Sequence, residues 1–277
     1  MSALHPRLSL NQAGFLAEPT AQFIQFAREI GAAHVCIANP LAFGPPAFGP
    51  ATIDEVEEVL APGGVQVSTL MQPFARYPDI ERDAGGAAEA MNRAIEAAGR
   101  LGAKDIYLIS GGRGGLDWEA AAQRMAELIA PCVTLAAQHG IALSVETSNL
   151  LNADIHIAHT LDDTVLLAET AGIGVTLDIG AIWVESGLKA KFACAAPLIR
   201  LVQVSDHVPG DRATPFKSVP GDGAIPNERL LGDLLAMGYT GLFDLELVGA
   251  RIEAEGHRAA FTRGAQILSD LLYKLGA

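Results

Sequence analysis

Short apolar runs alternate with longer amphipathic segments along the whole chain. The apolar runs have the length of single β-strands, which we predict at residues 8–10, 34–38, 65–70, 106–109, 142–146, 175–178, 201–205 and 243–247. The intervening segments repeat apolar residues with helical spacing, and we predict helices at residues 21–30, 87–101, 118–139, 161–170, 228–237 and 253–275. This alternation is typical of a parallel sheet covered by helices.

The number of predicted strands favours a closed α/β barrel. Eight strands in 277 residues, half of which are apolar, are enough for one large core. We therefore predict a single (β/α)₈ TIM barrel that forms one domain over residues 1–277. The longest irregular segments, 41–50 and 208–226, both follow strands, where barrels of this type build their active face.

The net charge of the chain excludes some classes of binding partner. A net charge of −13 argues against binding to nucleic acid or to an anionic membrane, because basic patches bind both. No apolar run reaches the roughly 18 residues of a membrane span, and no basic-then-apolar leader opens the chain. The three cysteines are widely spaced in apolar contexts, which fits buried thiols. We expect a cytoplasmic protein that binds a small molecule.

Four predicted strands in the second half carry a side chain that can bind a metal ion: Glu146, Asp178, Gln203 and Glu246. About 25 to 45 residues separate consecutive members, the length of one strand and helix unit, so neighbouring strands would bring them together. Each carboxylate taken alone is more often a helix cap or the partner of an arginine. A converging set is costly to bury unless a cation neutralises it. Hard oxygen ligands favour Mg²⁺ or Mn²⁺ over Zn²⁺.

The sequence around these positions resembles the xylose isomerase-like TIM-barrel superfamily of sugar isomerases and epimerases. The resemblance lies in segments 143–149, 175–180, 202–206 and 245–246, and in a Pro-Gly-x-Gly loop at 220–223. It implies one divalent ion on Glu146, Asp178, Gln203 and Glu246, with Mn²⁺ or Mg²⁺ expected and Co²⁺ or Zn²⁺ as alternatives. Glutamine at the third position is similar to hydroxypyruvate isomerases, whereas tagatose-type epimerases usually have histidine there.

The resemblance also implies a mechanism. Glu146 and Glu246 would act as base and acid on opposite sides of a hydroxy-ketone, with their order left open, while the cation stabilises the enediolate. The expected enzyme is an isomerase or epimerase of a small, carbohydrate-like hydroxy-carbonyl compound. Similar barrels often form homo-oligomers, and a homo-oligomer stays open for this chain.

One departure from the family pattern concerns the substrate. Family members commonly have histidine three residues after the aspartate ligand, but this chain has Ala181 there. His207 is a candidate replacement, and Asp206 is a candidate to orient a neighbouring ligand. His156 and His159 could hold a second metal, although a solvated or capping pair is the default. The predicted substrate contacts are His207, Arg212, Lys217, Arg113 and Trp183.

Two other functions stay open. A lyase or dehydratase could use the same site to expel a leaving group from a keto-sugar derivative, and the missing histidine fits such a substrate. A non-catalytic barrel could bind a metabolite or partner, although binding alone needs no pair of acid and base.

Overall fold

The computed structural model describes residues 4–38, 53–74 and 79–277, so the predicted irregular segment 41–50 lies outside the described residues. Strands and helices alternate in the order β1 (Leu8–Asn11), α1 (Thr20–Ile30), β2 (His34–Ala38), α2 (Ile53–Leu60), β3 (Gln66–Pro73), α3 (Gly86–Leu101), β4 (Asp105–Ile109), α4 (Trp118–Gln138), β5 (Ala142–Glu146), α5 (Leu161–Ala171), β6 (Gly174–Asp178), α6 (Ile179–Ile182), α7 (Leu188–Ala195), β7 (Ile199–Val204), α8 (Asn227–Ala236), β8 (Leu242–Leu245), α9 (Ala250–Glu255) and α10 (His257–Leu275).

The eight strands form a closed parallel barrel in chain order, with β8 paired to β1. This confirms the predicted (β/α)₈ fold. Within the described ranges, no helix combines the length and the apolar content needed to cross a bilayer. Cys36 and Cys132 are buried as expected, whereas Cys194 is exposed.

The predicted elements differ from the structure mainly in the helices. Helices α2, α6 and α7 were not predicted because all three are short, and α2 buries only Val56 among its described side chains. The predicted helix at 253–275 is two helices, α9 and α10, which meet at Gly256 with a φ of 91°. Strand β8 ends at Leu245, one residue before Glu246.

The interior of the barrel is polar at several levels below its mouth. Asn11 donates a hydrogen bond of 2.7 Å to Asp244 and a longer one of 3.3 Å to the Tyr107 hydroxyl. The hydroxyls of Ser144 and Thr176 lie 2.8 Å apart. The alternate strand positions, such as Val145, are buried in the apolar layer under the helices.

Asp105, at the start of β4, should make the stability of the barrel depend on pH. Its two carboxyl oxygens lie 3.3 and 3.2 Å from the Ser144 hydroxyl, and burial raises its pKa from 3.8 to about 7. Between these two values the folded protein holds a proton that the unfolded chain has released. The free energy of unfolding therefore falls as the pH rises through this range.

We expect Asp105→Asn to remove that dependence. At pH 8 the variant should be more stable than the wild type by about 2 kcal/mol, roughly half the full linkage value because solvent reaches part of the side chain. Urea unfolding should show the difference shrinking as the pH is lowered toward 5. The exposed Asp154→Asn serves as control. A difference for Asp105→Asn that does not change with pH would contradict this account.

Candidate active site

The four predicted metal ligands lie at one end of the barrel, on consecutive strands. Glu146 ends β5, Asp178 ends β6, Gln203 lies near the end of β7, and Glu246 follows β8. A hydrogen bond of 3.1 Å from the Glu246 amide to the Val204 carbonyl extends the sheet to this residue. Carboxylate oxygens of Glu146, Asp178 and Glu246 lie within 4.8 Å of one another, and all three side chains are buried.

Gln203 lies beside this carboxylate cluster and lacks partners. It pairs in register with Asp178 on one side and Asp244 on the other. Its side chain is fully buried, and neither its amide oxygen nor its amide nitrogen has a hydrogen-bond partner among the described residues. An unsatisfied buried amide is costly, and a cation coordinated by the oxygen would satisfy that atom. Three carboxylates and this oxygen form a donor set that fits a divalent ion.

Lys217, which was predicted as a substrate contact, contacts the carboxylate cluster directly. Its ammonium group is 3.1 Å from an Asp178 oxygen and also donates to Glu246. Burial lowers its pKa, but the charges of Asp178, Glu246 and Glu146 outweigh burial and raise it above the ordinary value. Lys217 is therefore a cation that balances part of the cluster's charge, and its contact with substrate stays a prediction.

The acid and base candidates have perturbed pKa values. Burial raises the pKa of Glu146 well above its usual range, and the Glu246 carboxylate raises it further. Burial also raises the pKa of Glu246, while Lys217 opposes this shift. Carboxyl groups whose pKa values move toward neutrality can both accept and return protons near pH 7.

A cavity of about 260 Å³ opens above the carboxylate cluster, and its lining includes Glu146, Asp178, Lys217 and Glu246. Side chains of Leu16, Met71, Ile109 and Val248 form apolar parts of its wall. The cavity is large enough for a small organic molecule and brings such a ligand onto the carboxylates.

His207 and two aromatic residues stand together at this cavity. The His207 ring contacts Phe216 edge-on, with centroids 4.9 Å apart, and both residues line the cavity. Trp183 lies 6.0 Å from the His207 ring, but it is not among the lining residues. The Nδ1 atom of His207 has no partner in the described part of the chain. His207 therefore stays a candidate substrate contact. Trp183 lies next to the His207 ring but does not line the cavity.

The structure does not bring the two predicted arginines to the carboxylate cluster. Arg113 is exposed on the loop after β4, and Arg212 is exposed on the long loop after β7. Neither lines the cavity above the cluster. Arg212 instead lines a separate cavity of about 290 Å³, together with Arg251 and Lys217.

Asp206 organises the loop after β7 through backbone contacts, and its predicted role in orienting a neighbouring metal ligand stays a prediction. Its carboxylate accepts hydrogen bonds from the backbone amides of His207, Gly221 and Ile225 at 2.8, 2.8 and 2.9 Å. A Cβ at Gly223 would lie 2.4 Å from this carboxylate and 2.3 Å from the His207 carbonyl oxygen. The second glycine of the Pro-Gly-x-Gly segment is therefore needed for this close approach.

His156 and Tyr107 also line the cavity, and neither was predicted from the sequence as a cavity residue. Tyr107 follows the alternation of β4, and that register was the available signal. His156 is buried, contrary to the default of a solvated or capping pair. His159 lies 3.1 Å from the Asn149 carbonyl oxygen, as a capping residue would. The described part of the chain shows one group of acidic, histidine or cysteine residues suited to a metal, and neither histidine belongs to it.

The comparisons with known proteins agree with this architecture. A family model described as xylose isomerase-like TIM barrel matches residues 24–269. No curated protein sequence matches the chain significantly.

Three solved structures illustrate the likeness. The IOLI protein with a zinc atom has a TM-score of 0.81 at 15% identity, over 97% of this chain and 99% of that one. D-psicose 3-epimerase from Clostridium cellulolyticum H10, solved with D-tagatose, has a TM-score of 0.76 at 16% identity, over 97% and 99%. The probable 3-DHS dehydratase AsbF from Bacillus anthracis has a TM-score of 0.71 at 15% identity, over 95% and 98%. At these identities the likeness shows the fold alone.

Proposed function

The chain belongs to the xylose isomerase-like TIM barrel family, and we propose that it is a metal-dependent isomerase or epimerase of a small sugar or hydroxy-carbonyl compound. The observation that carries this proposal is the convergence of three buried carboxylates at one cavity, with the unpartnered amide of Gln203 on the strand position that pairs with Asp178. Binding alone would not need two glutamates with raised pKa values. The epimerase among the structural neighbours supports the reaction class.

The proposed ligands of the cation are Glu146, Asp178, Gln203 and Glu246. Their oxygen atoms favour Mn²⁺ or Mg²⁺, and the zinc atom in a structural neighbour keeps Zn²⁺ as an alternative, beside Co²⁺. When bound, the cation would supply the positive charge that stabilises the negative charge of an enediolate.

Glu246 and Glu146 have different roles in the proposed proton transfer. Lys217 donates to Glu246 and favours its ionised form, so we assign Glu246 as the base that removes a proton from the carbon beside the carbonyl group. Glu146, with its strongly raised pKa, is the group that can deliver a proton. Delivery of a proton by Glu146 to the opposite face of the same carbon gives epimerisation. Delivery of a proton to the adjacent carbon, with transfer of the neighbouring hydroxyl proton to the former carbonyl oxygen, gives isomerisation. The apolar wall keeps water from competing for the anion.

The test is incorporation of solvent deuterium. Incubated in D₂O with Mn²⁺ and a panel of ketoses, the protein should convert at least one of them to an isomer that carries deuterium at the reacting carbon. Treatment with a chelator should abolish the conversion, and added Mn²⁺ should restore it. If no ketose or hydroxy-ketone in the panel exchanges hydrogen with solvent, the proposal fails.

Elimination is the second candidate function, and two observations favour it. Ala181 stands where the family usually has histidine, and one structural neighbour is a probable dehydratase. The same base would form the same carbanion, which would then expel a leaving group instead of accepting a proton. An unsaturated product that absorbs ultraviolet light, without deuterated isomer, would replace isomerisation by elimination.

A further inference from the structure

His156 is a polar side chain of the cavity that the mechanism above does not use. It is 3% exposed, and its Nδ1 atom is buried with no hydrogen-bond partner among the described residues. Among the other polar side chains of the lining, Asn152 donates to the Ser148 hydroxyl and Asp206 accepts three backbone amides, whereas His207 Nδ1 and the Ser205 hydroxyl also lack partners among the described residues. A buried nitrogen without a partner is costly unless a ligand supplies one.

The position of this imidazole is imposed by the surrounding backbone. The His156 amide donates to the Asn152 carbonyl at 2.9 Å. On either side, the Gly111 amide donates to the Ile155 carbonyl, and the Ile157 amide donates to the Ser110 hydroxyl, at 2.9 and 3.0 Å.

Two further contacts hold the same segment. The Trp118 indole donates to the Ile157 carbonyl at 2.7 Å. A Cβ at Gly112 would lie 2.5 Å from the Asp154 carbonyl oxygen, so the two loops touch backbone to backbone. The segment that carries His156 is therefore fastened to the loop after β4, and a ligand in the cavity meets a preorganised imidazole.

The charge state of His156 decides which ligand atoms suit it. Burial lowers its pKa to about 3, and the neighbouring His159 lowers it further, so the ring is neutral near pH 7. A neutral imidazole offers one donor and one acceptor, which match a hydroxyl or carbonyl oxygen. It offers no charge to a phosphate or a carboxylate.

The remaining basic groups agree with an uncharged ligand. Among the described lining residues, Lys217 is the one lysine or arginine, and its ammonium group is already paired with Asp178 and Glu246. Arg113 and Arg212 lie outside this cavity. Within the described walls, no lysine or arginine is free to pair with an anionic group of the substrate.

We propose that His156 is a substrate-binding residue that hydrogen-bonds an uncharged hydroxyl or carbonyl oxygen, and that the substrate is an unphosphorylated, uncharged hydroxy-carbonyl compound. This inference rests on the proposed function and adds the substrate class to it. It also places an imidazole in the cavity of a chain that has Ala181 at the family's usual histidine position.

The experiment compares three variants with the wild type, all loaded with Mn²⁺. His156→Leu removes the hydrogen bond and should raise the KM for the ketose that exchanges best by about tenfold, with kcat changed far less. His156→Gln replaces the imidazole with an amide that can still donate and accept a hydrogen bond, and it should recover most of the affinity. His139→Gln alters an exposed histidine at the end of α4 and should match the wild type. D-psicose, D-tagatose and D-fructose are the uncharged probes, and D-fructose 6-phosphate and hydroxypyruvate are the charged ones.

Thermal unfolding separates a binding role from a structural one. Because leucine replaces an unpartnered polar ring, His156→Leu should have a Tm equal to or above that of the wild type without ligand. An unchanged KM, a lowered Tm, or tighter binding of a charged probe than of every uncharged probe would overturn the inference while the deuterium test still stands. Absence of exchange by the wild type would defeat the proposed function, and the inference with it.

Discussion

Glu246→Gln should lower the rate of solvent-deuterium incorporation by about 1,000-fold, within the range that general base catalysis contributes. The amide keeps the size of the side chain and an oxygen near the cation, but it cannot take a proton from carbon. It also weakens the contact that Lys217 makes with this position. The measurement is the rate of deuterium uptake into the ketose and its product, followed by NMR at saturating Mn²⁺.

Glu253→Gln is the matched control, because Glu253 is exposed on α9 and lies outside the cavity. Its rate should equal that of the wild type. The Tm of each variant with Mn²⁺ shows whether it is folded. Deuterium uptake by folded Glu246→Gln at the wild-type rate would remove Glu246 from the chemistry and end the two-carboxylate mechanism.

Divalent cations should stabilise the folded chain by binding to the four proposed ligands. At a free concentration one hundred times the dissociation constant, binding adds about 2.7 kcal/mol to the free energy of unfolding. For a chain of this size that corresponds to a rise in Tm of about 5 °C. Thermal unfolding of chelator-treated protein, titrated with Mn²⁺, Mg²⁺, Co²⁺ and Zn²⁺ in turn, measures the shift and ranks the ions.

Asp178→Asn should abolish most of this shift, because it replaces one of the three buried carboxylates of the carboxylate cluster. Asp270→Asn, on the exposed face of α10, should retain it. A full shift in Asp178→Asn would place the cation elsewhere. A wild-type protein whose Tm is indifferent to all four ions would remove the metal from the proposal.

The strands that carry the predicted ligands could be read from the chain because their signal is local. Each combines an apolar run with a polar residue at its end, and about one strand and helix unit separates consecutive runs. In a parallel barrel those ends meet at one edge whatever the helices contain. The adjacency of Glu146, Asp178 and Glu246 therefore follows from their order along the chain.

The contact of Lys217 with the carboxylates could not be predicted from the sequence. Lys217 lies in the long loop after β7, whose path depends on contacts between distant segments. An antiparallel bridge joins Asp206 to Ser218, and a second joins Phe216 to Gly249. These bridges turn the loop back over the barrel and deliver the ammonium group to the carboxylates, whereas Arg212 in the same loop stays exposed.

The sequence by itself determined the barrel, its family and the strand ends where the carboxylates lie, because hydrophobic period and element order are properties of neighbouring residues. The tertiary structure alone decided which loop side chains face the cavity: Lys217 and His156 do, and Arg113 does not. The physical reason is that burial and the pairing of a charge depend on groups far apart in the chain, and no local pattern records them.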